Sequence, residues 1–320
     1  MQVVVTGGAG FLGQRLAHQL LKDPEVESLV LADIVVPPGP EDARVKLVQA
    51  DLSKSEAANS LISDRTTVVY HLAAVVSGQA EADFDLGMSV NCDGTRNLLE
   101  AVRRQSPDAK FVFASSLAVF GGELPAVILE ETAVMPQSSY GTQKAVSELW
   151  VNDYSRKGFV DGRVLRLPTV CVRPGKPNAA ASSFASSIIR EPVKGETAVC
   201  PVDVSLRLWL ASPNAVVDNL VRAKAVEADR FGLTRTVNLP GITVSVKEMI
   251  ESLERVVGAE AAKHIRYESD EAIARIVESW PSEFETSRAI ELGFVGDRSF
   301  DDVVRAFVAE QTGSTLGKSI

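Results

Sequence analysis

The stretch Thr6-Gly7-Gly8-Ala9-Gly10-Phe11-Leu12-Gly13 follows directly on the apolar run Val3-Val4-Val5 near the start of the chain. Its spaced glycines suit three needs: a tight turn at Gly7, close approach of a phosphate at Gly10, and close helix–strand packing at Gly13. A helix beginning there presents free N–H groups and its positive dipole end to an anion. The stretch therefore predicts a strand–turn–helix unit that binds the pyrophosphate of a dinucleotide. The residues expected to contact the dinucleotide are Gly7, Gly10, Phe11 and Leu12.

A carboxylate further along the chain indicates which dinucleotide is preferred. Asp33 ends the second predicted strand, where it would accept hydrogen bonds from the adenosine ribose and repel a 2′-phosphate. Because the following run Ile34-Val35-Val36-Pro37-Pro38 contains no arginine, the sequence predicts NAD as the cofactor rather than NADP. Asp51 and Leu52 close the third strand region, where they could meet the adenine. Asp51 could equally cap the helix that follows it.

Short β-branched runs alternate with longer helical patterns through the first half of the chain. Their nearly continuous apolar character is typical of parallel strands that are covered on both faces. This alternation predicts an α/β fold: a doubly wound parallel-sheet Rossmann domain with a smaller C-terminal substrate lobe. The predicted strands are Val3–Thr6, Ser28–Asp33, Val45–Gln49, Thr67–Leu72, Lys110–Ser116 and Gly162–Leu167. The predicted helices are Phe11–Lys22, Ser53–Ile62, Phe84–Arg104 and Tyr140–Arg156.

The alternation ends after the sixth predicted strand, where Cys171–Asn178 contains two prolines and a glycine. A helix over Ser212–Glu227 and a strand over Thr234–Leu239 would rejoin the first domain. We expect Val246–Val257 and Asp270–Ser279 to be helices of the smaller lobe. The predicted domains are an NAD-binding domain of residues 1–170, rejoined by 212–240, and a substrate-binding lobe of residues 171–211 and 241–320.

Tyr140 and Lys144 are four residues apart, which places them on one face of a predicted helix. A free tyrosine has a pKa near ~10, but a lysine ammonium one turn away, beside a positive nicotinamide ring, favours the phenolate. Such a phenolate can exchange a proton with a substrate hydroxyl as a hydride moves. Ser116 ends the fifth predicted strand and would hold the same oxygen. Asn91 lies mid-helix, where it could hold a water or the backbone near the site.

Composition and charge exclude several classes of protein. The formal charge of −9 argues against a nucleic-acid surface, which needs a clustered basic face. Cys92, Cys171 and Cys200 are widely spaced, so we predict neither a metal site nor a disulfide framework, and we expect a reducing compartment. No apolar run approaches the ~20 residues that span a bilayer, and the first residues lack the basic start of a signal peptide. We therefore expect a cytoplasmic protein without nucleic-acid or membrane partners.

Five motifs occur in order along the chain: Thr6–Gly13, His71–Ala74, Ser115-Ser116, Tyr140–Lys144 and Thr286–Phe294. Together they resemble the extended short-chain dehydrogenase/reductase family, the NAD-dependent epimerases and dehydratases, over nearly the whole chain. The resemblance implies that Ser116, Tyr140 and Lys144 form the catalytic set. It also implies a homodimer through helices 84–104 and 140–156, although core packing would equally explain their apolar faces. The cofactor contacts that it implies are Leu72, Ala73, Ala74, Tyr140, Lys144 and Pro168; Asn91 is expected beside them.

Within that family, Val164–Arg190 resembles the subgroup that oxidises D-erythronate, a four-carbon sugar acid, at its second carbon. Arg173 and Arg207 lie in the segment expected to cap the site, where an arginine can clamp a carboxylate through two hydrogen bonds. Surface solvation or internal ion pairs would equally explain either arginine. Ser77 and Asn178 are candidates for binding substrate hydroxyls, although each could instead satisfy its own backbone. Together with Ser116, these residues form the predicted substrate site.

The leading hypothesis is NAD-dependent oxidation of a small 2-hydroxy sugar acid to the 2-keto acid, with Tyr140 as the base and NADH released. The first alternative is a nucleotide-sugar 4-epimerase that reduces its bound NAD transiently. Phe184 and Trp209 are the only aromatic residues between Pro168 and Pro213 that could stack a base, which argues against a nucleotide-sugar substrate. The second alternative is a non-catalytic dinucleotide sensor, which would have no need of Ser116, Tyr140 and Lys144. His71 is expected to be a buried core histidine rather than a second base.

Overall fold

The computed structural model describes residues 1–176 and 179–313 of the chain. In chain order its strands are β1 (Gln2–Thr6), β2 (Ser28–Asp33), β3 (Val45–Gln49), β4 (Thr66–His71), β5 (Lys110–Ser116), β6 (Asp161–Leu167), β7 (Thr169–Val170), β8 (Ala198–Cys200), β9 (Arg207–Ala211), β10 (Thr236–Asn238), β11 (Ile242–Ser245) and β12 (Ile265–Tyr267). Seven of them form one sheet in the order β10-β6-β5-β4-β1-β2-β3. All neighbours in this sheet are parallel, which confirms the predicted fold class.

Helices connect these strands and cover both faces of the sheet. They are α1 (Phe11–Leu20), α2 (Ser55–Leu61), α3 (Ser77–Ala82), α4 (Phe84–Gly87), α5 (Gly94–Gln105), α6 (Ser139–Arg156), α7 (Ser183–Val193), α8 (Pro213–Ala223), α9 (Val246–Val257), α10 (Ala259–Ala262), α11 (Glu271–Glu278), α12 (Ser287–Glu291) and α13 (Phe300–Thr312). Among the residues described, no helix is long and apolar enough to cross a membrane.

The helix predicted over Phe84–Arg104 is interrupted. A π-helical turn, Met88–Asp93, separates α4 from α5, and the Gly94 N–H donates to the Ser89 carbonyl five residues back. The apolar period alone could not reveal this turn, because one wide turn changes the helical phase without removing the apolar face.

Side-chain alternation along the strands divides the core between the two faces of the sheet. Val3 and Val5 of β1 point to the face that packs against α1 and α8. Val4 points to the other face, against α5 and α6. Full burial of each such valine is worth about 1.5–3 kcal/mol, so a strand buried on both faces has its register strongly fixed.

A separate apolar cluster holds the C-terminal part together, where α7, α9 and α13 pack around Ile188, Met249, Leu253 and Phe307. Strand β9 pairs with β7 in parallel and with β11 in antiparallel fashion. Strand β10 returns to the large sheet and pairs with β6, with Thr236 beside Val164.

Side chains cover the outer edge of β10, the last strand on that side of the sheet. Arg288 Nη1 donates to the Thr236 carbonyl at 2.7 Å, and the Asn238 N–H donates to Glu130 Oε1 at 3.2 Å. Glu130 and Arg288 also form an ion pair at 3.0 Å. Two backbone groups of this edge, the Thr236 carbonyl and the Asn238 N–H, therefore have side-chain partners within the same chain.

Candidate active site

A cavity of about 590 Å³ lies at the carboxyl ends of the parallel strands, where ligands bind in open α/β sheets. Segments that follow β1, β2, β3, β4, β5 and β6 line it, together with the start of α6 and parts of the C-terminal lobe. The predicted residues that line it are Gly7, Gly10, Phe11, Leu12, Asp33, Asp51, Leu52, Leu72, Ala73, Ala74, Ser77, Ser116, Tyr140, Lys144, Pro168 and Arg173.

The glycine loop has the close approaches that its sequence predicts. Gly7 has φ +74°, and a Cβ there would lie 2.7 Å from the Ala73 backbone nitrogen. A Cβ at Gly13 would overlap the Gly7 carbonyl oxygen. Gly10 precedes α1, whose first N–H groups have no partner within the helix and face the cavity. This glycine cradle fits the pyrophosphate of a dinucleotide.

Two carboxylates brace the turns at the adenosine end of the cavity. Asp33 accepts hydrogen bonds from the Ala9 N–H at 2.9 Å and from the Ile34 N–H at 2.7 Å. Asp51 accepts from the Ser53 N–H at 3.0 Å, so it stabilises a turn rather than capping α2, which begins at Ser55. Both side chains also line the cavity, and each oxygen has a further lone pair for a ligand hydroxyl.

Helix α6 brings Tyr140 and Lys144 beside Ser116. The Ser138 hydroxyl caps this helix by accepting from the Gly141 N–H, which fixes where Tyr140 lies. Lys144 Nζ donates to the Ala114 carbonyl at 2.8 Å and lies 5.7 Å from the centroid of the Tyr140 ring. Burial lowers the pKa of Lys144 to about 8, although nearby Glu148 acts in the opposite direction.

The Tyr140 phenol is neutral in this site before a ligand binds. Burial raises its pKa to about 12, and its hydrogen bond with Ser116 and the charge of Arg173 only partly oppose that shift. The spacing of Tyr140 and Lys144 predicts that the ammonium favours the phenolate. In the structure that ammonium is directed to the Ala114 carbonyl, so ionisation of Tyr140 needs further positive charge from a ligand.

Arg173 reaches the cavity with unused hydrogen-bonding capacity. Its backbone is fixed, because its N–H donates to Ser186 Oγ at 3.0 Å and its carbonyl accepts from Arg190 Nη1 at 2.8 Å. Its Nη2 atom is buried and has no hydrogen-bond partner among the residues described. A buried guanidinium nitrogen without a partner is costly, so this arrangement suits an anionic ligand.

The structure does not bring Arg207 to the cavity, contrary to the expectation. Arg207 begins β9 beside Ser245 of β11, and its exposed guanidinium pairs with Glu283 at 2.6 Å. Because this end of β9 lies away from the strand ends that form the cavity, its side chain lines a separate shallow groove. Asn178 lies outside the residues that the structure describes.

Asn91 does not line the cavity, so the expectation that it contacts the cofactor needs correction. Its side chain is buried and exchanges hydrogen bonds with the N–H and carbonyl of Val75, at 2.8 and 3.0 Å. It also donates to Gln143. Asn91 therefore fixes the backbone that follows Ala74, and both N–H groups of its amide are used within the protein.

His71 is a buried core histidine, as expected. Its ring nitrogens lie 2.7 Å from Thr6 Oγ1 and 2.9 Å from Thr95 Oγ1. Burial, followed by the charge of Lys144, lowers its pKa to about 3, which keeps the imidazole neutral.

Several residues that line the cavity had no signal in the sequence. They come from α3, from β7, from the residue before α7 and from the segment after α11, and they include Gln79, Thr169, Ser182 and Trp280. The loop around residues 179–181 is attached to α3, because the Ala181 N–H donates to Ser77 Oγ and the Gly78 N–H donates to the Ala179 carbonyl, both at 3.1 Å. Only the tertiary fold could show that this loop and Trp280 share one cavity.

Known proteins resemble the chain along nearly its whole length. A D-erythronate dehydrogenase of Haemophilus influenzae is 52% identical over 311 residues, which are 96% of this chain and 99% of the relative. One of Cupriavidus necator is 51% identical over 319 residues, 97% of this chain and 98% of the relative. The crystal structure of the nucleoside-diphosphate-sugar epimerase from Agrobacterium tumefaciens superposes with a TM-score of 0.93 at 43% identity, covering 99% of this chain and 96% of that one.

The family assignment rests on the larger part of the chain. Residues 3–210 match the family described as the NAD dependent epimerase/dehydratase family. That range includes the glycine loop, Ser116, Tyr140, Lys144 and Arg173. The chain belongs to the NAD dependent epimerase/dehydratase family, the extended type of short-chain dehydrogenase/reductase.

Proposed function

We propose that this protein is an NAD-dependent dehydrogenase that oxidises the 2-hydroxyl of a small sugar acid of the D-erythronate type to the 2-keto acid. The observation that carries the proposal is the buried Nη2 of Arg173, which has no hydrogen-bond partner in the described part of the chain and lies in the cavity that Ser116 and Tyr140 also line. Identities of 52% and 51% to two D-erythronate dehydrogenases over nearly the whole chain support the same substrate class.

The cofactor would occupy the glycine-lined end of the cavity. Gly7, Gly10, Phe11 and Leu12 would hold the pyrophosphate, and Asp33 the adenosine ribose. Asp51 and Leu52 would meet the adenine. Leu72, Ala73, Ala74 and Pro168 would contact the nicotinamide half, and Lys144 its ribose. When bound, NAD supplies the hydride acceptor and a positive ring near Tyr140.

Ser116 and Tyr140 would divide the handling of the substrate oxygen. The Ser116 hydroxyl would donate a hydrogen bond to that oxygen and fix its position. The Tyr140 phenolate would take the proton of the substrate hydroxyl while the C–H bond on the same carbon breaks. The hydrogen and the electron pair of that C–H bond would leave together as hydride for the bound NAD, and the hydroxyl would become a carbonyl. Lys144 and the positive nicotinamide ring would together stabilise the phenolate against the burial that opposes it.

Arg173 would bind the substrate carboxylate and hold the second carbon at reacting distance from the nicotinamide. Ser77 could bind a hydroxyl group, since its Oγ accepts one hydrogen bond and still has a proton to donate. Asn178 stays a further candidate for such a contact. Arg207 has no part in this proposal, because its guanidinium lies at the separate groove.

The test compares two arginine variants. Arg173→Met should raise the KM for D-erythronate by about 10- to 100-fold, because a hydrogen bond to a charged group is worth roughly 1.5–3 kcal/mol. The KM for the uncharged polyol erythritol should change little. Arg207→Met is the matched control and should leave both constants unchanged. An equal rise in KM for acid and polyol would reject the carboxylate clamp.

A nucleotide-sugar epimerase is the second candidate, because the Agrobacterium tumefaciens structure at 43% identity carries that description. Stoichiometry separates the two functions. A dehydrogenase accumulates one NADH per sugar acid consumed, whereas an epimerase interconverts UDP-sugars without net NADH. Epimerised UDP-sugar with no oxidation of any four-carbon acid would favour the epimerase, and neither reaction would favour a dinucleotide sensor.

We also propose the domain division into residues 1–170 with 212–240 and residues 171–211 with 241–320, and a cytoplasmic location.

We propose in addition that the protein is a homodimer. Helix α6 packs beside α4 and the π-helical turn, and this surface exposes Phe84 and Leu149, with 58% and 65% of their areas accessible. Leu149→Glu should produce monomers in light scattering. Leu233→Glu is the control, because Leu233 is fully exposed on the loop before β10.

A further inference from the structure

A buried carboxylate follows Lys144 by one turn of α6. Glu148 is only 3% exposed, and Arg166 of β6 donates to its two oxygens through Nε at 3.0 and 3.1 Å and through Nη2 at 2.7 Å. Ser115, next to Ser116, donates its hydroxyl to the same carboxylate. Glu148 is therefore fixed between α6 and the ends of β5 and β6.

The surroundings of the Lys144 ammonium are otherwise poor in charge. Its Nζ lies 4.6 Å from the centroid of the Phe113 ring on β5. His71 on β4 is neutral, and burial raises the pKa of the Cys92 thiol on the π-helical turn to about 11. Tyr140 on α6 is neutral before a ligand binds. Glu148, which forms a buried ion pair with Arg166, is thus the carboxylate that acts on Lys144 in the described part of the chain.

We propose that Glu148 is a positioning residue that keeps the Lys144 ammonium charged and in place at the Ala114 carbonyl, beside the part of the cavity assigned to the cofactor ribose. The proposal rests on the role given to Lys144 above. Arg166 and Ser115 hold the Glu148 carboxylate in place, and the same Ser115 bond fixes the strand whose Ala114 carbonyl accepts from Lys144. Packing alone does not need this arrangement, because a buried ion pair can be replaced by apolar residues of similar volume without loss of stability.

The direct test follows the titration of Lys144. The ¹³Cε signal of lysine-labelled protein, assigned by its loss in Lys144→Met, reports protonation of this one amine without any cofactor. Burial lowers the pKa of Lys144 to about 8 in the intact site. Because Glu148 acts to raise it, Glu148→Gln should move the titration midpoint down by about one pH unit or more. Less ammonium would then remain at neutral pH.

A matched variant separates charge from hydrogen bonding. Ser115→Ala removes one of the groups that hold Glu148 but keeps the carboxylate and its bonds to Arg166, so the Lys144 midpoint should move much less than in Glu148→Gln. Glu148→Asp keeps the charge and should restore most of the wild-type midpoint. If Glu148→Gln titrates like wild type, or if Ser115→Ala shifts the midpoint as much, the proposal is wrong.

Two further measurements keep the proposal open to rejection. Should Glu148→Gln fail to fold because Arg166 is left unpaired, the double variant Glu148→Gln/Arg166→Gln removes both charges and should still lower the midpoint. NAD affinity should also be measured against pH in proteins that carry Tyr140→Phe. As the pH is raised, the affinity should start to fall at a lower pH when Glu148→Gln is added, because Lys144 loses its charge earlier. Neither measurement involves a sugar acid, so failure of the proposed substrate would leave these results unchanged.

Discussion

Tyr140 is a strong base only when its phenol ionises, and burial, partly opposed by Ser116 and Arg173, raises its pKa to about 12 before a ligand binds. We expect sugar-acid oxidation to accelerate from about pH 6 to about pH 8, because the reactive phenolate becomes more abundant as the pH rises. Tyr140→Phe should lower turnover by about 10²- to 10⁴-fold and remove this acceleration. NAD affinity should be retained, since the ring stays in place. A Tyr140→Phe enzyme that keeps its turnover would assign the base elsewhere.

Asp33 should determine the choice between the two dinucleotides. Its carboxylate would repel a 2′-phosphate, so we expect the native protein to bind NAD at least about tenfold more tightly than NADP. Asp33→Asn removes the charge and keeps an acceptor for only one of the two N–H groups, those of Ala9 and Ile34, that donate to Asp33. The preference for NAD should therefore narrow, and the melting temperature should fall because one N–H of the turn loses its acceptor. Equal affinities in the native protein, by calorimetry, would contradict this placement.

Residue types and spacings predicted the two ends of the cavity unequally. The glycines, Asp33 and the Tyr140–Lys144 pair belong to local patterns whose geometry is fixed by a single turn or helix. Arg173 and Arg207 are chemically identical, and only the path of the chain decides that one lines the cavity and the other pairs with Glu283. Trp280 reaches the cavity from a distant part of the chain, so no local pattern could predict it.

Alanine substitutions in the glycine loop test whether this loop binds the pyrophosphate of NAD. Gly10→Ala should fold normally, because φ is −73° there and the new Cβ would meet its nearest neighbour, the Gly7 oxygen, at 3.2 Å. Its methyl group would stand where the pyrophosphate approaches, so NAD affinity should fall at least about tenfold. Gly13→Ala should lower the melting temperature as well, because its Cβ would overlap the Gly7 carbonyl. A Gly10→Ala protein with native NAD affinity would place the phosphates elsewhere.

Elements buried on both faces are those that the sequence predicted best. Strands β2 and β5 are buried on both faces and have the predicted bounds, because a slip of one residue would exchange the two buried faces. Strand β3 also has the predicted bounds, although it is a partly exposed strand at the sheet edge. The π-helical turn and the short α3 could not be predicted in this way. Both depend on contacts with distant segments: Asn91 with Val75, and Ser77 with Ala181.

Trp280 from the C-terminal lobe lines the same cavity as the glycine loop after β1. Trp280→Ala would enlarge the substrate end, so we expect the KM for D-erythronate to rise by about tenfold, equivalent to roughly 1.4 kcal/mol. The KM for longer sugar acids should rise less than the KM for D-erythronate, or should fall. NAD affinity should be unchanged, since the glycine loop is intact. An equal loss for acids of every length would show that Trp280 does not limit substrate size.

The covered edge of β10 bears on how the molecule behaves at high concentration. Exposed strand edges can recruit strands from other molecules, and this leads to fibres and precipitates. Here Arg288 and Glu130 already bind the Thr236 carbonyl and the Asn238 N–H, two of the groups that a foreign strand would need. We therefore expect loss of Arg288 to lower the solubility of the protein during synthesis and storage, while the molecules that stay in solution keep their catalytic activity.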